Sequence, residues 1–276
     1  MKDFRDRVAA ITGAASGIGR SLSLELARRG AHLALSDVDE AGLAETELRA
    51  KRLGVEVTTA RVDVADRAAV EAWADQVVSD HGRVNLIANN AGVAVGATVE
   101  GTSYEDFEWL MGINFWGVVY GTKAFLPHLK TAGEGHVVNI SSIFGLMGIP
   151  SQSAYNAAKF AVRGFTEALR MELDIERCGV SATSIHPGGI KTNIARNARI
   201  GGGLDEIGQD PDAARRDFEK LFITSPDKAA RQIVRAVQLD KRRALVGPDA
   251  KAFDVLAKLP PGINQRLVAR GARRGL

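Results

Sequence analysis

A single cysteine, Cys178, stands in a chain of 276 residues. One thiol cannot close an internal disulfide, and with the scattered His32, His81, His128, His136 and His186 it makes no recognised zinc-ligand spacing. The expectation is a buried thiol near a helix end, no metal, and a reducing, cytoplasmic setting. No apolar stretch reaches the ~20 residues that a membrane span needs. The opening MKDFRDRVAAITGAASG keeps its charges where a signal peptide would carry an apolar core. Neither sign of charge dominates, since 36 Lys and Arg against 33 Asp and Glu leave a formal net charge of +3. Part of that excess lies in the tail LVARGARRGL, at Arg270, Arg273 and Arg274, with no interleaved aromatics or binding motif. Nucleic acid is therefore not an expected partner. The absence of a fixed-period repeat argues against a solenoid.

What the chain does have is regular alternation. Short apolar runs, VAAIT (8–12), HLALSD (32–37), EVTTARVD (56–63), VNLIANN (84–90), HVVNISS (136–142), VSATSIHPG (180–188) and RRALVG (242–247), are bounded by glycine or polar residues. Helix-length amphipathic segments separate them, with long ones over 103–130 and 152–177, the second closed by Gly179. Strand-like runs fed through helices predict an α/β fold: a doubly wound parallel sheet of about seven strands in three αβα layers. Residues 189–224, with three glycines at 201–203, read as a lid or a loop between short helices. Residues 249–276 read as a helical extension broken at Pro260, Pro261 and Gly262, ending in the basic tail.

The segment TGAASGIG places Gly13, Gly17 and Gly19 between the first strand and the first helix. Such a turn lets backbone approach a phosphate, and the helix N-terminus beyond it favours an anion. The spacing is Gly-x-x-x-Gly-x-Gly rather than the Gly-x-Gly-x-x-Gly dinucleotide fingerprint. Asp37 closes the second strand, where a carboxylate can accept both ribose hydroxyls of NAD and would repel a 2′-phosphate. Its neighbours Ser36 and Val38 carry no cation, and Ser16 stands in the turn where a basic side chain would favour NADP. The alternative for Asp37 is a helix cap, a task that Asp39 can equally perform. Asp63 and Val64 end the third strand within reach of an adenine. NNAG (89–92) ends the fourth, with Asn89 also suited to tying loops together.

Tyr155 and Lys159 lie one turn apart on the predicted helix 152–177, and Ser142 ends the strand before it. A lysine in that position can lower a phenol's pKa, and a serine hydroxyl can hold a substrate oxygen. Asn114 interrupts the apolar helical stretch LMGINFWGVVYG. An amide there needs a hydrogen-bonding task, such as holding a helix distortion or a water linked to Lys159.

Together TGAASGIG, Asp37, Asp63, NNAG, Asn114, NISS, YNAAK and PGGIKT, in this order over residues 5–248, resemble the classical short-chain dehydrogenase/reductase family. The resemblance implies a Rossmann-type domain over 1–248 that includes a variable substrate segment at 189–224. It implies a catalytic set of Asn114, Ser142, Tyr155 and Lys159. It further implies an NAD site lined by Gly13, Ser16, Gly17, Ile18, Gly19, Asp37, Asp63, Val64, Asn90, Tyr155, Lys159, Pro187, Gly188, Ile190 and Thr192, and a homo-oligomer, tetramer or dimer, built partly on helices 103–130 and 152–177. The expected activity is NAD-dependent interconversion of a secondary alcohol and a ketone. An NADP-dependent carbonyl reductase and a non-catalytic nucleotide-binding regulator are the alternatives. The run Ile143, Phe144, Leu146, Met147, Ile149 and Pro150 suggests an apolar wall and hence an apolar small-molecule substrate. Arg196, Arg199, Arg215 and Arg216 are offset by Asp205, Glu206, Asp210, Asp212 and Asp217, so no anionic substrate is indicated.

Overall fold

The computed structural model describes residues 1–208 and 222–272. Seven strands form one wholly parallel sheet: β1 (Val8–Thr12), β2 (His32–Asp37), β3 (Val57–Arg61), β4 (Leu86–Asn89), β6 (Gly135–Ile140), β7 (Val180–Pro187) and β9 (Arg243–Val246). Their order is β3-β2-β1-β4-β6-β7-β9, so the winding direction reverses between β1 and β4. A second, two-stranded parallel sheet joins β5 (Val95–Gly96) to β8 (Arg199–Ile200). The expected αβα layers are therefore present.

Period-two alternation along the strands builds two cores, one on each face. Ala9, Ile11, Leu33, Leu35, Leu86, Ala88, Val138 and Ile185 point to one side. There they pack with Leu22 and Leu26 of α1 (Gly17–Ala27) and Ile233 and Val237 of α7 (Pro226–Gln238). Val8, Ala10, Ala34, Ile87 and Val137 point to the other. Their partners there are Trp73 and Val77 of α3 (Arg67–His81), Phe125 and Leu129 of α5 (Gly117–Thr131), and Leu169 of α6 (Ser153–Glu176). Trp73 and Phe125 meet edge to face at 5.0 Å.

The helices start where side chains can cap them. The Asp66 carboxylate accepts from the Ala68 and Ala69 N–H groups ahead of α3, and Asp39 accepts from Gly42 N–H at the start of α2 (Glu40–Lys51). Asp39 thus takes the capping task and Asp37 does not.

Four elements differ from the sequence reading. The helix expected over 103–130 is divided into α4 (Tyr104–Met111), a π-helical turn (Gly112–Trp116) and α5. α6 ends on Arg177, itself left-handed at φ 55°. Gly179, two residues on, is left-handed too at φ 80°, and the Gly133 carbonyl packed against it leaves no room for a Cβ. Cys178 is only partly buried. The segment 189–224, expected to be a lid or a loop between short helices, carries strand β8 as well. Arg215, Arg216, Asp210, Asp212, Asp217, Arg273 and Arg274 lie outside the described residues. Beyond β9, α8 (Pro248–Ala257) and α9 (Pro261–Ala272) are separated at the expected proline pair. Among the described residues no helix is long and apolar enough to cross a membrane.

Two histidines are fully enclosed. Burial pushes His136, paired through Nε2 with the Thr183 hydroxyl, down to about 3, and His186 down to about 4. Unfolded, each titrates near its ordinary 6.5, so between pH 6.5 and 4 the unfolded chain binds more protons than the folded one. Stability should therefore fall as pH drops through that window. Urea midpoints measured from pH 7 to 4.5 should decline, and less steeply in His136→Gln.

Candidate active site

The C-terminal ends of the parallel strands all open on one edge of the sheet, and the winding reversal leaves a crevice between the ends of β1 and β4. Side chains lace that crevice. Asn90 Nδ2 donates to the carbonyls of Thr12 (2.9 Å) and Gly13 (3.1 Å), while the Thr12 hydroxyl accepts from the Asn90 and Ala91 N–H groups (3.0 Å each). Gly13 turns at φ +66°, where a Cβ would lie 2.8 Å from Ala91 Cα, so a side chain is excluded on both conformational and steric grounds. Ser16 precedes α1 without a side-chain capping bond, which leaves the N–H groups of the first turn uncapped. Asp37 lies beside this turn. Its Oδ2 accepts from Ala15 N–H at 2.8 Å and its Oδ1 from Asp39 N–H at 3.0 Å, and each oxygen retains a further lone pair.

The reaction end is assembled from β6, β7 and α6. Ser142 follows β6 and caps the short 3-10 turn Ile143–Gly145 by accepting from Phe144 N–H at 3.1 Å. Its carbonyl is held by His186 Nδ1 at 2.9 Å. One turn of α6 separates Tyr155 from Lys159, whose Nζ lies 5.4 Å from the phenol ring centroid and donates to the Ile140 carbonyl at 3.0 Å. Phe144 meets the Tyr155 ring edge-on at 5.8 Å. Asn114 sits in the π-helical turn, fully buried, and its amide both accepts from Val93 N–H and donates to Val93 C=O, each at 2.8 Å. The helix distortion anticipated from the sequence is present, because the π-turn aims Asn114 at the strand-end loop. Asn114 Oδ1 and Lys159 Nζ lie 3.2 and 3.7 Å from the point where a Gly92 side chain would begin.

The electrostatics depart from the simplest expectation of a lowered phenol. Enclosure by protein pushes Tyr155 up to about 12, against the opposing pull of the Ser142 hydroxyl, although part of its side chain still faces the cleft. Burial alone pushes Lys159 down to about 8. Loss of hydration outweighs the lysine's charge because the ammonium binds a backbone carbonyl rather than the phenol oxygen.

A cleft of about 560 Å³ joins the two ends. Its lining includes Gly13, Ser16, Gly17, Ile18, Asp37, Asp63, Val64, Asn90, Ser142, Tyr155, Lys159, Pro187, Gly188, Ile190 and Thr192. Two of the expected residues stand behind the wall instead. Gly19 packs the helix against the turn, since a Cβ there would lie 2.0 Å from the Gly13 carbonyl, and Asn114 supports Val93.

The apolar wall also has different members. Of the run after Ser142 only Ile143 and Phe144 reach the cleft, joined by Val93, Ala94, Ile194, Phe222, Ile223 and Phe253. Sequence reasoning missed Gln152, Asn193, Asn197 and Asp249, which also line it. It missed Asn156 too, whose amide donates to the Phe144 and Met147 carbonyls and accepts from Ile149 N–H. An amide beside the reactive tyrosine was the available signal. Nothing in local sequence announced Asp249, sixty residues from the glycine it contacts.

A family model described as short chain dehydrogenase matches residues 7–201. The chain belongs to that family. A Mycobacterium tuberculosis protein named as the oxidoreductase SadH is 51% identical over 274 residues, covering 99% of this chain and 98% of the relative. A Burkholderia phymatum short-chain dehydrogenase/reductase, solved in complex with NAD, is 31% identical and superposes with a TM-score of 0.84 over 93% of this chain and 94% of its own. A levodione reductase is 30% identical, with a TM-score of 0.78 over 91% of this chain and 98% of its own. This short-chain dehydrogenase is an oxidoreductase whose fold accepts a nicotinamide dinucleotide.

Truncating Asn114 to alanine removes both side-chain partners of the part-buried Val93 backbone, which should cost about 1–3 kcal/mol. Urea unfolding of Asn114→Ala should show that loss. A stability within 0.5 kcal/mol of the parent, roughly the scatter of neutral surface changes, would exclude the supporting role.

Proposed function

We propose that the protein interconverts a secondary alcohol and a ketone of apolar character, using NAD. The observation that carries this reading is one continuous cleft with the glycine turn and Asp37 at one end and Ser142, Tyr155 and Lys159 at the other. The residues present fit the cofactor. Gly13, Ser16, Gly17 and Ile18 offer backbone to the pyrophosphate, Asp37 accepts from the adenosine ribose, and Asp63, Val64 and Asn90 border the adenine and the strand-end crevice. Lys159 would bind the nicotinamide ribose, while Pro187, Gly188, Ile190 and Thr192 would enclose the nicotinamide end. When bound, the nicotinamide supplies the two-electron donor or acceptor for the reaction.

The protein's own groups handle the proton and the substrate oxygen. Tyr155 gives its phenolic proton to the ketone oxygen in reduction and accepts it from the alcohol in oxidation. Ser142 donates a hydrogen bond to that oxygen, and the Lys159 ammonium favours the phenolate form as charge develops. Asn114 takes part through Val93 and the buried amide rather than by touching substrate. Phe144, Ile194, Phe222 and Phe253 favour an apolar body on the substrate, with Gln152, Asn193 and Asn197 able to bond an uncharged polar group.

NAD is favoured over NADP by Asp37, which would repel a 2′-phosphate, and by the engagement of the nearby Arg20. That guanidinium is bound to the Ala15 and Gly42 carbonyls, the Thr46 hydroxyl and the Glu45 carboxylate. Exposed Tyr104, Trp116, Phe160, Met171 and Ile175 on α4, the π-turn and α6 support assembly with further copies of the chain.

The test is absorbance at 340 nm with NAD and NADP against apolar secondary alcohols and ketones. Tyr155→Phe should bind NADH as the parent does and lose turnover by at least ~10²-fold, the usual worth of a positioned acid–base group. Equal turnover in the variant would remove Tyr155 from the reaction. Because oxidation needs the phenolate and reduction the phenol, and burial pushes Tyr155 up to about 12, kcat/KM for the alcohol should rise from pH 7 to 10 while the phenol supply for the ketone reaction stays level. Asp37→Ala should narrow the preference for NAD by roughly tenfold or more, as loss of a charged hydrogen-bond acceptor predicts. An unchanged NAD/NADP ratio would place the discrimination elsewhere.

A further inference from the structure

The first turn of α8 reaches back into the cleft. Asp249 stands there after Gly247 and Pro248, and its Oδ2 accepts from Gly189 N–H at 2.5 Å. The contact is close along the whole turn, since a Cβ on Gly188 would lie 2.0 Å from the same oxygen. The other bonds that hold this turn are backbone to backbone: Gly188 N–H to the Val246 carbonyl at 2.9 Å, and Thr224 N–H to the Gly189 carbonyl at 3.1 Å. Asp249 is thus the side chain that ties the turn to the helix beyond the last strand. Its Oδ1 is buried without a hydrogen-bond partner, as is the Thr224 hydroxyl, so the carboxylate is held inward for a single backbone bond. Such an arrangement is costly unless the bond fixes something. The next residue, Ala250, and Phe253 one turn further on pack against Ile143 and Phe144, which anchors α8 to the reaction end of the cleft.

We propose that Asp249 is a positioning residue. From a helix outside the strand-and-motif core it holds the Gly188–Gly189 turn in the shape that receives the nicotinamide end of the cofactor. This rests on the cofactor reading above. A flexible Pro-Gly-Gly turn would otherwise lose conformational freedom on binding, and a turn already fixed by a charged acceptor avoids that cost.

The experiment uses the full chain, with Asp249→Ala, Asp249→Asn and, as a control, Lys251→Ala on the exposed side of the same helix. Two quantities are measured: deuterium uptake of the peptide covering 187–192 in cofactor-free protein, and the Kd of NADH by fluorescence. In Asp249→Ala uptake should accelerate and the Kd should rise about tenfold, the equivalent of one charge-assisted hydrogen bond. Asp249→Asn keeps an oxygen that can accept from Gly189 N–H, so it should restore parental uptake and a Kd within about threefold. Lys251→Ala should match the parent.

A parental Kd and uptake in Asp249→Ala would overturn the proposal while leaving the cofactor reading intact, and so would an asparagine variant as defective as alanine. A parent that binds neither NADH nor NADPH would overturn both. If Asp249→Ala does not fold, the parent itself decides: the peptide 187–192 must already be protected in cofactor-free protein, and uptake at the rate of an unstructured peptide would refute the assignment.

Discussion

Parallel pairing across all seven main strands is the constraint from which the site follows. Because every strand runs the same way, β1, β2, β3, β4, β6 and β7 deliver their last residues to one edge, and the chain must cross back through a helix each time. The reversal of winding between β1 and β4 then leaves the one place where two neighbouring strand-end loops diverge. Asn90 and Thr12 hold that divergence at a fixed width with four hydrogen bonds. A polar chain deeper in the sheet fixes the next two layers. Asn89 bonds Thr122 of α5 and Asn139 of β6, and Asn139 bonds Thr166 of α6. Polar groups in such a core are costly unless bonded, and here the Asn89–Asn139 bond joins β4 to β6 while the two threonine bonds register α5 and α6 against those strands.

Burial sets the chemistry of the reaction end. Lys159 and Tyr155 meet on a helix packed against β6, where neither charged form is well solvated. The resting protein therefore holds a neutral phenol pushed up to about 12 and a lysine pushed down to about 8. A low-dielectric site of this kind makes the proton's position sensitive to any new charge brought beside it. The π-helical turn lends Ile113 to the cleft wall and, behind it, turns the Asn114 amide onto Val93, another residue of that wall.

The main sheet was legible in the sequence because its strands are short, bounded by turn residues and, in the centre of the sheet, apolar on both faces. β5 and β8 were not, because two-residue strands carry no periodicity. They exist through Gly101 and Gly202, whose backbones approach so closely that a Cβ on Gly101 would lie 2.1 Å from the Gly202 carbonyl. Arg199, read as one charge in a mixed segment, is occupied by the Trp109 ring at 3.6 Å and by Asp106. The π-turn was visible only as an awkward asparagine, and the apolar wall was misassigned where Leu146 and Met147 turn away into the interior.

Local order determined the parallel fold, the glycine turn and the pairing of Tyr155 with Lys159. Strand periodicity, backbone conformation and one helical turn are short-range properties written within a few residues. Tertiary structure decided which of these groups share a cleft, that Gly19 and Asn114 stand behind its wall, and that Asp249 and Phe253 of the final segment complete it. Those outcomes depend on contacts across long stretches of chain and on how far burial outweighs charge, and neither leaves a local pattern to read.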